Sequence, residues 1–214
     1  MVKQSMGNLA RAKISDKLIG MGDSHLDNFT FFCAATCRIP GATSYGLDNP
    51  NSETNARNAF TNFINAFPSH IPLLCIGEVD CNSLPWRSNE HRSPEEFVMF
   101  SIDTLFKFLD DFNKKFILPT VTLPPVEDFQ TLNIRNHVTA GKKKRTELVK
   151  LYNDYLREGC SRMGHYFLDI TSSTMNAEGF IDNSFIRSPF DVHLKPWKLH
   201  NIVKERLDSI EAFL

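Results

Sequence analysis

Two short stretches near opposite ends of this 214-residue chain carry side chains suited to nucleophilic catalysis. In the first, Ser24 follows the largely apolar residues 18–21 and a glycine turn, where a helical pattern begins. In the second, His193 stands shortly before the last predicted helix, with Asp191 two positions earlier. A serine hydroxyl is a weak nucleophile until a neighbouring base takes its proton, and an imidazole titrates near neutral pH. These residue types predict that Ser24 is a nucleophile, His193 a base and Asp191 an acid that orients the base.

The tripeptide Gly22-Asp23-Ser24 alone leaves two interpretations open. Unpaired backbone N–H groups at a helix start, together with the helix dipole, favour a developing negative charge beside Ser24. The same residues also suit a simple N-cap at a turn. The other polar loops of the chain, taken together, favour the catalytic interpretation.

Composition restricts the classes of protein to which the chain can belong. Hydrophobic residues make up 42% of the sequence and charged residues 23%, which fits one globular domain over 1–214 with a polar N-terminal arm at 1–16. Lys plus Arg number 24 against 25 Asp plus Glu, so no net field draws the protein to nucleic acid or to an anionic membrane. No stretch reaches transmembrane length, and the composition leaves the oligomeric state undetermined.

The five cysteines are an odd set without the spacing of a disulfide framework. Cys33 and Cys37 stand four apart on a predicted helix, which would suit a metal, but no second ligand pair accompanies them. Buried thiols are therefore the preferred interpretation, and we expect neither a metal nor an organic cofactor. Reduced thiols, with no signal sequence, predict a cytoplasmic protein.

Strand and helix patterns alternate along the chain. Predicted strands lie at 17–22, 38–44, 71–76, 115–123 and 166–170, and predicted helices at 26–37, 52–67, 93–112, 142–156 and 196–214. A long loop at 126–140 is of the kind that often carries function. The alternation predicts a three-layer α/β/α sandwich around a flavodoxin-like, five-stranded parallel sheet, with the site at the carboxyl ends of the strands.

Four loop blocks meet at that edge of the predicted sheet. They are Gly22-Asp23-Ser24-His25, then 41–46 (Gly-Ala-Thr-Ser-Tyr-Gly), 77–82 (Gly-Glu-Val-Asp-Cys-Asn) and Asp191-Val192-His193. In this order they resemble the SGNH (GDSL-type) hydrolase superfamily across nearly the whole chain. The second and third blocks also look like a branch found among bacterial polysaccharide-associated proteins.

The resemblance implies a role for each block. It makes Ser24 the nucleophile, His193 the base and Asp191 the acid that orients it. It implies an oxyanion hole built from the N–H of Ser24, from Gly41 or Gly46 in the second block, and from an asparagine in the third.

Two departures from the family pattern bear on this expectation. Val79 stands where the third-block asparagine is usual, so either Asn82 or a backbone N–H takes the role, or the hole is weaker. Losing one such donor typically costs ~10²–10³ in rate. The acid and the base are separated by one residue rather than two, and the usual spacing would put Phe190 in the acid's place. If Asp191 cannot reach the imidazole, a Ser–His dyad or a backbone carbonyl must orient the base.

Other polar and aromatic residues in these loops are candidates for the substrate pocket. Each also has a structural alternative. Asp23, Glu78 and Asp80 could each hold their loop together, and His25 could bond a neighbouring loop. Trp86 could pack in the core.

Three functions follow. The first is a serine esterase acting through an acyl-enzyme on a small or carbohydrate O-acyl ester, such as an acetyl ester. The second is an acyltransferase that moves the same acyl group to a sugar hydroxyl. The third is a binding module that keeps the fold but has lost the chemistry.

Overall fold

The computed structural model describes residues 17–87, 90–125, 140–188 and 191–211. Within them, five parallel strands form one sheet in the order β2-β1-β3-β4-β5. Their bounds are Leu18–Gly22 (β1), Ala35–Arg38 (β2), Ile71–Cys75 (β3), Ile117–Pro119 (β4) and Tyr166–Leu168 (β5). The flavodoxin-like order and the α/β class predicted from the sequence are confirmed. The predicted arm at 1–16 and nearly all of the long loop at 126–140 lie outside the described residues.

Five α-helices accompany the strands in the described part of the chain. They are Ala56–Ala66 (α1), Glu78–Asn82 (α2), Pro94–Asp110 (α3), Lys142–Met163 (α4) and Pro196–Glu211 (α5). Short 3₁₀ helices span Ser24–Asn28, Thr30–Phe32, Tyr45–Asp48, Leu84–Trp86 and Asn183–Phe185. Helix α3 packs against α4, whereas α5 packs against the 3₁₀ helix that begins at Ser24. None of the helices described is long and apolar enough to cross a membrane.

The prediction of a helix at 26–37 is wrong. Two 3₁₀ turns occupy its first part, and β2 begins at Ala35, three residues before the predicted second strand. Along β2, half-buried and exposed residues alternate, which is the two-residue period of an edge strand. The spacing of Cys33 and Cys37 also fits one face of a helix, and it concealed this strand period. Cys37 therefore lies in a strand and does not share a helix face with Cys33.

One helix start and one loop also differ from the predictions. Helix α1 begins at Ala56 behind Asn55, whose φ of 47° is left-handed, and not behind Ser52. Helix α2 occupies most of the predicted loop at 77–82. Asparagine tolerates the left-handed conformation better than most residues, so Asn55 can turn the chain into the helix at small cost.

The start of α3 follows the prediction. Ser93 Oγ accepts the N–H of Glu96, and the Glu96 carboxylate accepts the N–H of Ser93, with Pro94 at the first helical position. This capping box satisfies two N–H groups that a helix otherwise leaves unpaired, and such a cap contributes about 1 kcal/mol. The apolar stripe of α3 is buried against the core.

Gly22 ends β1 where backbone segments approach most closely. Its φ of 154° is one that L side chains rarely adopt, and a Cβ there would overlap the Cys75 carbonyl of β3. The next residue, Asp23, donates its N–H to the same carbonyl at 3.0 Å. A glycine is therefore required for the chain to leave the sheet and present Ser24 at its carboxyl edge.

We predict that Gly22→Ala lowers the free energy of unfolding by roughly 3 kcal/mol, because a methyl group cannot fit without separating β1 from β3. Denaturant unfolding followed by circular dichroism measures this loss. The control is Gly141→Ala, since a Cβ at that position meets nothing within 4 Å. Equal stability of the two variants would contradict the close approach at Gly22.

Candidate active site

Ser24 lies at the carboxyl end of β1, as the first residue of a 3₁₀ helix. The preceding Asp23 caps this helix, because its Oδ1 accepts the N–H of His25 at 2.7 Å. Ser24 itself is half-buried, whereas Asp23 and His25 are buried. Buried neighbours thus hold the serine from both sides, while Ser24 itself stays half-buried.

His193 and Asp191 reach Ser24 from the loop before α5. The distance from His193 Nε2 to Ser24 Oγ is 2.9 Å, and His193 Nδ1 lies 2.7 Å from Asp191 Oδ1. The structure therefore brings the three predicted residues into one chain of hydrogen bonds, within the reach that proton transfer requires.

The one-residue spacing between acid and base proves sufficient for contact. Asp191 Oδ1 also accepts the backbone N–H of His193 at 2.8 Å, so one carboxylate oxygen holds both the backbone and the ring of the same residue. An aspartate readily accepts the N–H two residues on, and this turn points the ring at its own carboxylate. Phe190 lies outside the described residues.

The pKa of Asp191 is lowered. Partial burial alone would raise it, but the two hydrogen bonds from His193 and the electrostatic attraction to His193 and Arg187 outweigh that effect. Asp191 is therefore a carboxylate near neutral pH, as an acceptor from Nδ1–H must be.

Arg187 supports this loop and was missed at the sequence level. Its Nε donates to Leu194 O at 2.6 Å, and its Nη1 lies 4.0 Å from Asp191 Oδ2. An isolated antiparallel bridge joins Ile186 to Leu194 around the same turn. Nothing in the sequence distinguishes Arg187 from other basic residues, because its role depends on a turn that folds back on it.

The four candidate oxyanion donors differ in availability. Gly46 donates its N–H to Thr43 O and Oγ1, at 3.1 and 2.8 Å, so this group is already used. Gly41 is exposed, with a φ of 78°. In the part of the chain that the structure describes, no hydrogen bond uses the N–H of Ser24 or of Gly41. Those two remain the available backbone donors.

Asn82, the fourth candidate, is buried in α2, and its Nδ2 donates to Glu78 Oε1 at 3.1 Å. Glu78 is half-buried at the start of the same helix. Burial raises the pKa of Glu78, although nearby His25 acts in the opposite direction. The amide of Asn82 thus serves Glu78, which leaves its predicted oxyanion role without a supporting contact.

For Asp80 the sequence left open a place in the substrate pocket or a role in holding its loop together, and the contacts support the second. Its side chain is fully buried, and its two oxygens accept the N–H groups of Ser44 and Tyr45, each at 2.9 Å. Burial raises its pKa to about 6, although these two bonds oppose the shift. Asp80 therefore fixes the second block, together with a 2.7 Å hydrogen bond between Ser44 Oγ and the hydroxyl of Tyr152.

His25 and Trp86 are likewise engaged by the protein. The ring of His25 stacks on that of His193, with centroids 4.7 Å apart, and its Nε2 lies 3.2 Å from Val192 O. Trp86 is half-buried and donates its Nε1–H to Cys81 O at 2.7 Å. The structure thus favours the loop-bonding interpretation for His25, while a contact of either ring with a substrate stays a prediction.

Within the described ranges, no group of three or more His, Cys, Asp or Glu side chains could hold a metal ion. All five cysteines are free thiols. Burial raises the pKa of Cys33 to about 12 and of Cys75 well above its usual value, so these sulfurs are protonated at neutral pH.

The chain was compared with known proteins. No protein-family model matches it, and neither does any curated protein. Solved structures do match. A carbohydrate acetylesterase from Sinorhizobium meliloti superimposes with a TM-score of 0.59 at 15% identity, covering 92% of this chain and 99% of that one.

Two further structures match over similar lengths. A GDSL-like lipase from Bacteroides thetaiotaomicron gives a TM-score of 0.56 at 14% identity, covering 94% of this chain and 90% of that one. An aryl esterase from M. smegmatis gives 0.55 at 13% identity, covering 92% and 100%. At such identities a likeness establishes the fold alone, and that fold is the one shared by the SGNH (GDSL-type) hydrolases.

Proposed function

We propose that the protein is a serine ester hydrolase that works through an acyl-enzyme. The observation that carries this proposal is the hydrogen-bonded chain from Ser24 Oγ through the His193 ring to Asp191 Oδ1. A nucleophile, a base and an orienting acid at such distances support acyl transfer, and the fold shared with known esterases adds to that support.

Each step of the reaction has a residue to carry it. Ser24 Oγ attacks the ester carbonyl carbon while His193 Nε2 takes the hydroxyl proton. The tetrahedral intermediate collapses, the bond to the leaving oxygen breaks, and His193 returns the proton to the departing alcohol. Water, deprotonated by the same imidazole, then attacks the acyl group and frees Ser24 and a carboxylic acid.

The negative charge on the tetrahedral oxygen needs donors fixed in advance. The free N–H groups of Ser24 and Gly41 are the candidates in our proposal. Val79 stands at the usual asparagine position, and the amide of Asn82 serves Glu78, so we assign no side-chain donor to the third block. The hole is then built from backbone alone.

The substrate class we propose is a small or carbohydrate O-acyl ester, in the first place an acetyl ester. Ser24 is half-buried and His193 is 24% exposed, so the reacting atoms lie at an accessible edge of the sheet. The acetylesterase from S. meliloti shares this fold and acts on carbohydrates, which makes acetylated sugars the first substrates to test.

Replacing the nucleophile or the base is expected to abolish turnover. Ser24→Ala and His193→Ala should each lower kcat/KM for p-nitrophenyl acetate by about 10³-fold or more, because each removes an indispensable part of one unit. Ser69→Ala and His70→Ala are matched controls, since this adjacent Ser–His pair precedes β3 at the opposite edge of the sheet.

Either of two results would revise this proposal. If Ser24→Ala is inactive and His193→Ala is not, another group serves as the base. If the wild type is as inert as both variants towards every short acyl ester tried, the hydrolase proposal fails, and a binding role is then tested by the rise in melting temperature that a sugar causes.

The acid is expected to matter through the orientation of His193. Asp191→Asn should lower kcat by roughly 10²- to 10⁴-fold with a smaller effect on KM, because an amide at this position favours the wrong imidazole tautomer. Steady-state kinetics measure the effect, with Asp154→Asn as the control on an exposed ion pair of α4. A wild-type kcat in the Asp191 variant would contradict this role and indicate that Ser24 and His193 act as a dyad.

Hydrolysis and transfer differ only in what intercepts the acyl-enzyme. We expect turnover of p-nitrophenyl acetate to stay unchanged, within about twofold, when free sugars are added, because water already reaches this accessible edge. Release of p-nitrophenol and of acetate, measured together, tests this. An acetylated sugar formed at the expense of acetate would instead identify a transferase.

A further inference from the structure

An ionisable cluster lies behind the Ser24–His193 pair and takes no part in the chemistry proposed above. It consists of Asp23, which follows β1, His25 in the 3₁₀ helix and Glu78 at the start of α2. Asp23 and His25 are buried, and Glu78 is half-buried. All three line one small pocket with a cavity volume of about 10 Å³, so they face a common space.

His25 connects this cluster to the base. On one side, its Nδ1 lies 3.4 Å from Asp23 Oδ1. On the other, its Nε2 lies 3.2 Å from the carbonyl of Val192, the residue between Asp191 and His193. Its ring stacks on the His193 ring, with centroids 4.7 Å apart and planes 25° from parallel.

We propose that His25 is a positioning residue for His193: its ring supports one face of the base, and its Nε2–H holds the Val192 carbonyl so that the Asp191–His193 turn keeps its shape. This inference rests on the proposed function, since it assigns His193 the role of base. It also explains why a ring with a hydrogen-bond donor follows the serine directly.

The His25 ring that stacks on His193 also carries a charge. Burial alone would lower the pKa of His25, but the Asp23 carboxylate 3.4 Å from its Nδ1, the charge of Glu78 and the Val192 carbonyl together raise it to about 9. His25 is then a cation at neutral pH, and its Nε2–H is directed at the Val192 carbonyl.

Charged groups lie on both sides of this pair. Asp23, which follows β1, and Glu78 in α2 face His25, and Asp191, with Arg187 4.0 Å away, lies beyond His193.

The first test compares His25→Ala and His25→Gln with wild type by the kcat and KM for p-nitrophenyl acetate. His25→Ala should lower kcat about 10- to 100-fold with a smaller change in KM, because it removes both the stacked ring and the donor to Val192 O. His25→Gln keeps a donor for Val192 O but no ring, so it should recover part of kcat. Wild-type kcat in the Ala variant would overturn the inference.

The second test needs no activity. Since the folded-state pKa of about 9 exceeds the ordinary histidine pKa of 6.5, the stabilisation from charged His25 is complete below pH 6.5 and is lost as pH rises through 9. The wild type should therefore lose more melting temperature between pH 6.5 and 9.5 than His25→Gln. Parallel melting curves would overturn the charge assignment.

The two tests separate the possible failures. If wild-type protein neither cleaves an acyl ester nor labels with a fluorophosphonate, the proposed function fails, whatever the melting curves show. If wild type is active and the His25 variants match it in kcat and KM, only the positioning inference fails. The backbone N–H of residue 25 still reaches Asp23 in every variant, so the helix cap is retained.

Discussion

The site depends first on one carboxylate oxygen. Asp191 Oδ1 accepts both the backbone N–H and the ring Nδ1–H of His193, so the loop and the imidazole are oriented by the same group. This double contact allows the acid and the base to stand only two positions apart. It also ties the orientation of the base to the local turn, which Arg187 and the Ile186–Leu194 bridge hold in place.

The sheet supplies the other half of the site. Gly22 lets β1 pass against the Cys75 carbonyl, and Asp23 donates to that carbonyl as the chain turns, so Ser24 emerges at a fixed point. Asp80, buried in α2, fixes the second block in the same manner by accepting two of its N–H groups. The two loops that would bind an oxyanion are thus anchored by buried groups.

Much of this could be predicted from the sequence, and the reasons are local. The alternation of apolar runs with helical stripes predicted the parallel sheet, and the Ser93-Pro94-Glu95-Glu96 signal predicted the start of α3. Ser24, Asp191 and His193 could be chosen because their types and order suggest one chemistry. The helix predicted at 26–37 failed because two 3₁₀ turns and an edge strand lie within a span whose apolar spacing also fits a helix.

What the sequence could not supply are contacts across long separations. The stacking of His25 on His193 joins residues 168 positions apart, and the hydrogen bond between Ser44 and Tyr152 spans 108. No periodicity encodes such contacts, because they depend on how the loops lie once the sheet has formed. The two interpretations of Asp80 stayed open for this reason, since its burial follows from the packing of α2 and not from its neighbours in sequence.

The central claim is that Ser24 is a nucleophile activated by His193. The most direct measurement is intact-protein mass spectrometry after treatment with a fluorophosphonate, followed by peptide mapping of the adduct. One adduct per chain at Ser24, formed far more slowly when His193 is replaced by alanine, is the predicted result. No adduct, or an adduct on a different residue, would contradict the account.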